Sequence, residues 1–164
     1  MFKFFPALLL LVFSQNLTAQ NFNITYKNPD QLVVCAADTL SVTILNNTAA
    51  PVGAALLELE LPPGLEYLPS SVRGALDSDI SNLEKPLLAL PELLPGAPLT
   101  VRVQLSATCA LVPAINSGQL FSAVLRVRAG ALTEQATTSN FQIQTSLLVI
   151  TQVDNKLISG EKGD

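Results

Sequence analysis

Histidine and tryptophan are absent from this 164-residue chain, methionine occurs once, and charged residues make up only 13% of it. Without histidine there is no Ser-His-Asp or Cys-His relay to activate a nucleophile. Most zinc, copper and non-haem iron sites lean on imidazole and are disfavoured on the same ground. The sequence has no Cys-x-x-Cys pair, no phosphate-cradling Gly-rich loop and no Gly-x-Ser-x-Gly motif. Catalysis would therefore fall to carboxylates and lysines, and the expectation is a protein that is not an enzyme and carries no cofactor. Basic clusters are also missing. A net charge of −4 with few aromatic residues argues against nucleic acid and against anionic membrane surfaces as partners.

What is present begins with an export signal. MFKFFPALLLLVFSQNLTA has one lysine near its start, an apolar run from Phe4 to Phe13, and the small residue Ala19 before Gln20. That is the three-part pattern of a cleaved signal peptide over residues 1–19. The apolar run is about half the ~20 residues of a membrane helix, and no later segment is apolar enough to span. Removal of residues 1–19 takes away Lys3 and leaves a chain one unit more acidic, long enough for one domain with a core. In an exported chain, two cysteines point to a disulfide between Cys35 and Cys109 rather than two buried thiols. Cys35 precedes one predicted strand and Cys109 follows another, so the bridge ties either two sheets or two strand ends.

Period-two patterning runs through residues 20–145. In LELEL, Leu57, Leu59 and Leu61 alternate with Glu58 and Glu60, which marks a strand with one dry and one wet face. Pro62 and Pro63 cannot extend a ladder, and Gly64 permits the positive φ of a reversal. The same alternation places Leu40, Val42 and Ile44 on one face, Val101, Val103 and Leu105 on another, and Phe121, Ala123, Leu125 and Val127 on a third, with Phe141 and Ile143 closing the series. Asn, Gly and Pro clusters separate these runs. Residues 75–94 are less regular. Pro86, Pro91 and Pro95 forbid a long helix there, which leaves a crossing connection with room for a helical turn and one short strand near Leu87 to Leu90. Short strands between turns predict an all-β chain folded as an antiparallel sandwich. Residues 22–38 also align without a gap on 148–164, with Ile24, Thr25 and Asp38 repeated as Ile150, Thr151 and Asp164. The expectation is that residues 146–164 begin a second, similar unit.

TLSVTILNNTAAPV, LELELPPGLEYLPSSV and LPELLPGAPLTVRVQ together resemble the bacterial conserved-repeat domain called domain of unknown function eleven. The resemblance spans residues 22–145. It implies an immunoglobulin-like sandwich repeated in tandem in large exported surface and adhesin-type proteins, with no established catalytic residues. Asn46-Asn47-Thr48 stands where the family commonly has Asn-x-Gly, which leaves the geometry of that turn open.

Three clusters are candidates for chemistry. Glu58 and Glu60 would lie ~6.6 Å apart along a strand, near the spacing of a glycosidase pair, but a wet sheet face opposite Arg102, Arg126 or Arg128 is the favoured reading. Asp77-Ser78-Asp79-Ile80-Ser81-Asn82 places oxygens at alternate positions like a calcium loop, yet lacks the central glycine and an acid at position twelve, so a surface turn is favoured. Asn16, Asn23 and Asn46 sit in Asn-x-Thr sequons and read as polar turn or edge residues. The resulting expectation is a non-catalytic structural or adhesive module of a secreted or cell-surface protein. Its partners would be neighbouring repeats of the same polypeptide, surface glycans or other cell-surface proteins. A carbohydrate- or calcium-binding module is the alternative. Against a sugar site stand the few aromatics, Phe22, Tyr26, Tyr67, Phe121 and Phe141, most of them on predicted core faces.

Overall fold

A computed structural model describes residues 20–79 and 81–145. The proposed signal peptide, with its Ala19–Gln20 junction, and the proposed second unit over 146–164 lie outside the described residues. The described chain is an immunoglobulin-like antiparallel β-sandwich. Its strands are β1 (Phe22–Lys27), β2 (Leu32–Val33), β3 (Ala37–Asn46), β4 (Leu56–Glu60), β5 (Leu65–Tyr67), β6 (Asp77–Asp79), β7 (Leu87–Ala89), β8 (Pro98–Ala107), β9 (Val124–Ala129), β10 (Leu132–Thr137) and β11 (Ile143–Gln144). One sheet has the order β1-β3-β8-β5 and the other β10-β9-β4-β7-β6. β11 pairs in parallel with β2.

The alternating apolar residues explain why two layers form. Leu40, Val42 and Ile44 on β3 and Val101, Val103 and Leu105 on β8 point inward from the first sheet, and all are buried. Leu57 and Leu59 on β4, Leu88 on β7, and Leu125 and Val127 on β9 do the same from the second. Each fully buried side chain of this kind contributes about 1.5–3 kcal/mol. The inward alternation of Phe121 and Ala123 holds although they precede the ladder of β9.

Gly64 closes the LELEL strand as its position demands. It adopts φ 88°, and a Cβ there would stand 2.7 Å from Leu111 Cγ. Pro62 O accepts from Leu65 N–H at 3.0 Å, which turns the chain into β5.

Two features differ from the pattern-based expectation. Among the described residues the helical turn lies not in 75–94 but after β8, as a 3-10 turn at Cys109–Leu111 running into the short helix α1 (Val112–Asn116). Pro113 is tolerated there because the first helical residues have no carbonyl to bond. β10, LTEQAT, is a strand with no strongly apolar face. It forms because Gly130 and Ala131 turn the chain back so that Leu132 faces Ala129 across a two-residue hairpin. The short strand expected near Leu87 is β7, paired with both β4 and β6.

Candidate functional site

The outer face of the second sheet consumes its own charge. Glu58 Oε1 accepts from Arg126 Nη1 at 2.8 Å, and Glu58 Oε2 lies 2.7 Å from Arg128 Nη2. The register sets this up, because Glu58 faces Arg126 and Leu56 faces Arg128 across β4 and β9. Glu60 instead meets Lys85 Nζ at 2.7 Å. The two carboxylates of the glycosidase-like pair are thus drawn to different cations on an open sheet face. Arg102 is a correction to the sequence reading. It lies on β8 in the first sheet and faces Ser41, not Glu58 or Glu60.

The hydrogen bond and charge of Lys85 hold Glu60 below the ordinary carboxylate value of 4.5, and Glu60 holds Lys85 above 10.5. A carboxylate lowered by folding stabilises above its unfolded value and loses that contribution as pH falls through the folded one. The lysine works in the opposite direction, stabilising below its unfolded value and losing the effect as pH rises through the folded one. We expect Lys85→Ala to lower the melting temperature slightly near pH 7, where the pair contributes in full, and to converge on the parent as pH falls from about 5 to 3, which flattens the acid limb. The whole effect is small because the pair is exposed. A parallel downward shift at every pH would show that Lys85 acts by packing instead.

Asn46 is not the surface turn residue its sequon implied. It is buried at the end of β3. Its Nδ2 donates to the carbonyls of Ala50 at 2.9 Å and Leu93 at 2.8 Å. Its Oδ1 accepts from Thr48 N–H at 2.9 Å and Thr48 Oγ1 at 2.7 Å. This side chain shapes the Asn46-Asn47-Thr48 turn in place of a glycine and pins it to the loop before β8. Asn46→Ala should cost about 1–3 kcal/mol, since the bonds of a buried amide are lost while Leu93 O keeps Val52 N–H and Ala50 O keeps Thr48 Oγ1, as measured by urea unfolding. A change under about 0.5 kcal/mol would mean that water replaces the amide. Asn23 is exposed on edge strand β1, as a polar edge residue should be.

Cys35 and Cys109 form the expected disulfide, with Cα atoms 6.2 Å apart. They sit at one end of adjacent strands β3 and β8, so the bridge joins two strand ends of one sheet rather than two sheets. Backbone bonding supports it, with Cys35 N–H donating to Ala107 O at 2.8 Å.

Side chains of Asp77, Ser78, Asp79 and Ile80 lie outside the described residues. In the rest of that segment, Asn82 Oδ1 accepts from the N–H groups of Glu84 and Lys85, which is a turn. Among the described residues no group of three or more acidic or thiol ligands gathers as a metal site would require. Phe22, Tyr67, Phe121 and Phe141 are buried. Tyr26 is half-buried, and its hydroxyl accepts from Ser139 N–H at 2.8 Å.

On the first sheet, a groove of about 330 Å³ lies between β8 and the loop after β5. Sequence reasoning did not single it out, because its two arginines meet only through tertiary pairing. Arg73 N–H donates to Arg102 O at 2.8 Å, and Arg102 N–H donates to Arg73 O at 2.9 Å. Gly74, at φ 84°, lets the loop lie flat on β8, where a Cβ would fall 2.2 Å from Thr100 O. Ser71 Oγ accepts from Gln104 N–H at 2.9 Å and fixes the other end.

No protein-family model matches the chain, and no curated protein matches it in sequence. Among solved structures, the chain is similar to the cohesin module from a Clostridium perfringens ATCC13124 family 33 glycoside hydrolase, at 20% identity over 77% of this chain and 98% of that one, with a TM-score of 0.48. A DUF4466 family protein from Parabacteroides merdae is 10% identical over 76% of this chain and 45% of its own, with a TM-score of 0.48. The CARDB domain of a Pyrococcus furiosus protein, solved in complex with di-metal ions, is 13% identical over 75% and 87%, with a TM-score of 0.45. At these values the likeness concerns the arrangement of strands and nothing further.

Proposed function

We infer that this chain supplies a non-catalytic structural module of an exported or cell-surface protein, a spacer of the conserved-repeat type that carries other segments at a distance. The observation that carries the reading is where the described chain enters and leaves. Phe22 starts β1 opposite Asn46, at the end of β3 far from the disulfide. Gln144 ends β11 beside Val33 and accepts from Val34 N–H, at the disulfide end. The ten residues of β3 separate these two ends, roughly 30 Å at the rise of a strand. Units joined through such ends string out in a line rather than folding back.

Tension along that line loads β1 against β3 parallel to the strands, so that several ladder bonds must break together. The Cys35–Cys109 bridge closes a 74-residue stretch against extension. It also accords with an oxidising compartment. These features support a load-bearing role.

Single-molecule stretching of the chain between flanking handles tests the reading. The expected record is one abrupt rupture, with extension limited to residues outside the bridge. Reduction should then add roughly 250 Å of contour at ~3.3–3.6 Å per residue. Smooth lengthening at forces typical of an unstructured chain would refute a mechanical role.

A further inference from the structure

We propose that the Arg73–Arg102 groove binds an acidic saccharide, through the carboxylate of a uronic acid unit. Lysines and arginines elsewhere in the described residues are ion-paired. Lys27 meets Asp30, Lys85 meets Glu60, and Arg126 and Arg128 share Glu58. Among the described residues no carboxylate pairs with Arg73 or Arg102, although acids outnumber bases in the whole sequence.

The backbone places these two unpaired cations directly opposite each other. Residues exchanging both N–H···O bonds have Cα atoms about 5.5 Å apart and side chains on one face. Like charges in that relation destabilise a sheet, so folding alone gives no reason for the pair. Arg73 is also held in place, with Nη1 donating to Val72 O at 2.8 Å. Glu66, an acid on this outer face, faces Ser106, four residues beyond Arg102 and so roughly 13 Å along β8.

Two guanidinium groups side by side suit an oxyanion, since each offers a planar fork of donors. Thr39, Ser70, Ser71 and Gln104 line the rest of the groove. Their hydroxyl and amide groups match the hydroxyls of a sugar ring, and charge takes the place of the aromatic stacking that the buried Phe and Tyr side chains cannot supply. An acidic peptide would share the carboxylate but present fewer hydroxyls to this lining. The inference is independent of the spacer reading.

Titration of the full chain with tri-galacturonate, maltotriose and hexaglutamate, followed by calorimetry, tests it. Tri-galacturonate should bind at least tenfold more tightly than either competitor and weaken as salt is raised. Arg102→Gln should reduce that affinity tenfold or more, and Arg102→Lys should fail to restore it fully. The free Arg102→Gln protein should melt no lower than the parent, because a repulsion is removed. Absence of saturable binding, equal affinity for hexaglutamate or maltotriose, or unchanged affinity in Arg102→Gln would each overturn the assignment. So would a lowered melting temperature in Arg102→Gln with binding intact, which would make the pair structural.

Discussion

Replacing both Cys35 and Cys109 by serine is expected to lower stability by roughly 4–5 kcal/mol, the chain-entropy value for a loop of this length. The bridge spans 74 positions, more than half of the described residues, so the denatured chain gains much freedom when it opens. For a domain of this size, such a loss corresponds to a fall in melting temperature of about 15 °C or more. Both cysteines are exposed, so a reductant reaches the bridge without prior unfolding. Reduction of the parent protein should reproduce the double variant. A shift below about 3 °C would show that the unfolded chain is already compact around Cys35 and Cys109, or that native contacts hold these strand ends without the bond.

Leu57→Ala carries the second large effect. Leu57 has no exposed surface and sits on β4, which is flanked by β9 on one side and β7 on the other. Its neighbours are held in ladders and cannot close over the space left behind. Loss of transfer free energy together with the cavity gives about 3–4 kcal/mol. Leu120, at 73% exposure, is the matched comparison, and Leu120→Ala should stay within about 0.5 kcal/mol. Denaturant titration separates the two, since the midpoint should move for Leu57 with the slope unchanged. If the two leucines proved equivalent, the dry interior between the sheets would be the wrong account of this fold.

Much of the architecture was legible because strands with one wet face write themselves at period two. Leu40, Val42 and Ile44 or Val101, Val103 and Leu105 name both a strand and its buried side without reference to any other segment. β10 was not legible, because LTEQAT has small and polar residues on both faces and forms as the partner of β9. The helical turn at Cys109–Asn116 was likewise hidden. A stretch with Ala, Leu, Val, Pro and Ile reads equally as a strand until the disulfide and the end of β8 fix where it must turn. Asn46 was misread as surface for a related reason. A buried asparagine and an exposed one have the same neighbours in sequence and differ only in which carbonyls fold over them.

The candidate groove shows the same division. Arg126 and Arg128 were correctly set against Glu58, since strands of alternating pattern invite such pairs. Arg102 has the same pattern and was set there too, although it belongs to the other sheet.

The sequence alone therefore determined the class of the fold, the dry faces, the turn that ends LELEL and the partners Cys35 and Cys109. These depend on side-chain alternation and backbone limits that act over a few residues, or on an even cysteine count. Tertiary structure decided which strands are neighbours, where the chain enters and leaves, and that Arg73 stands opposite Arg102. Each of these is set by pairing between segments far apart in the chain, and every alternating strand looks alike until a sheet chooses its neighbours.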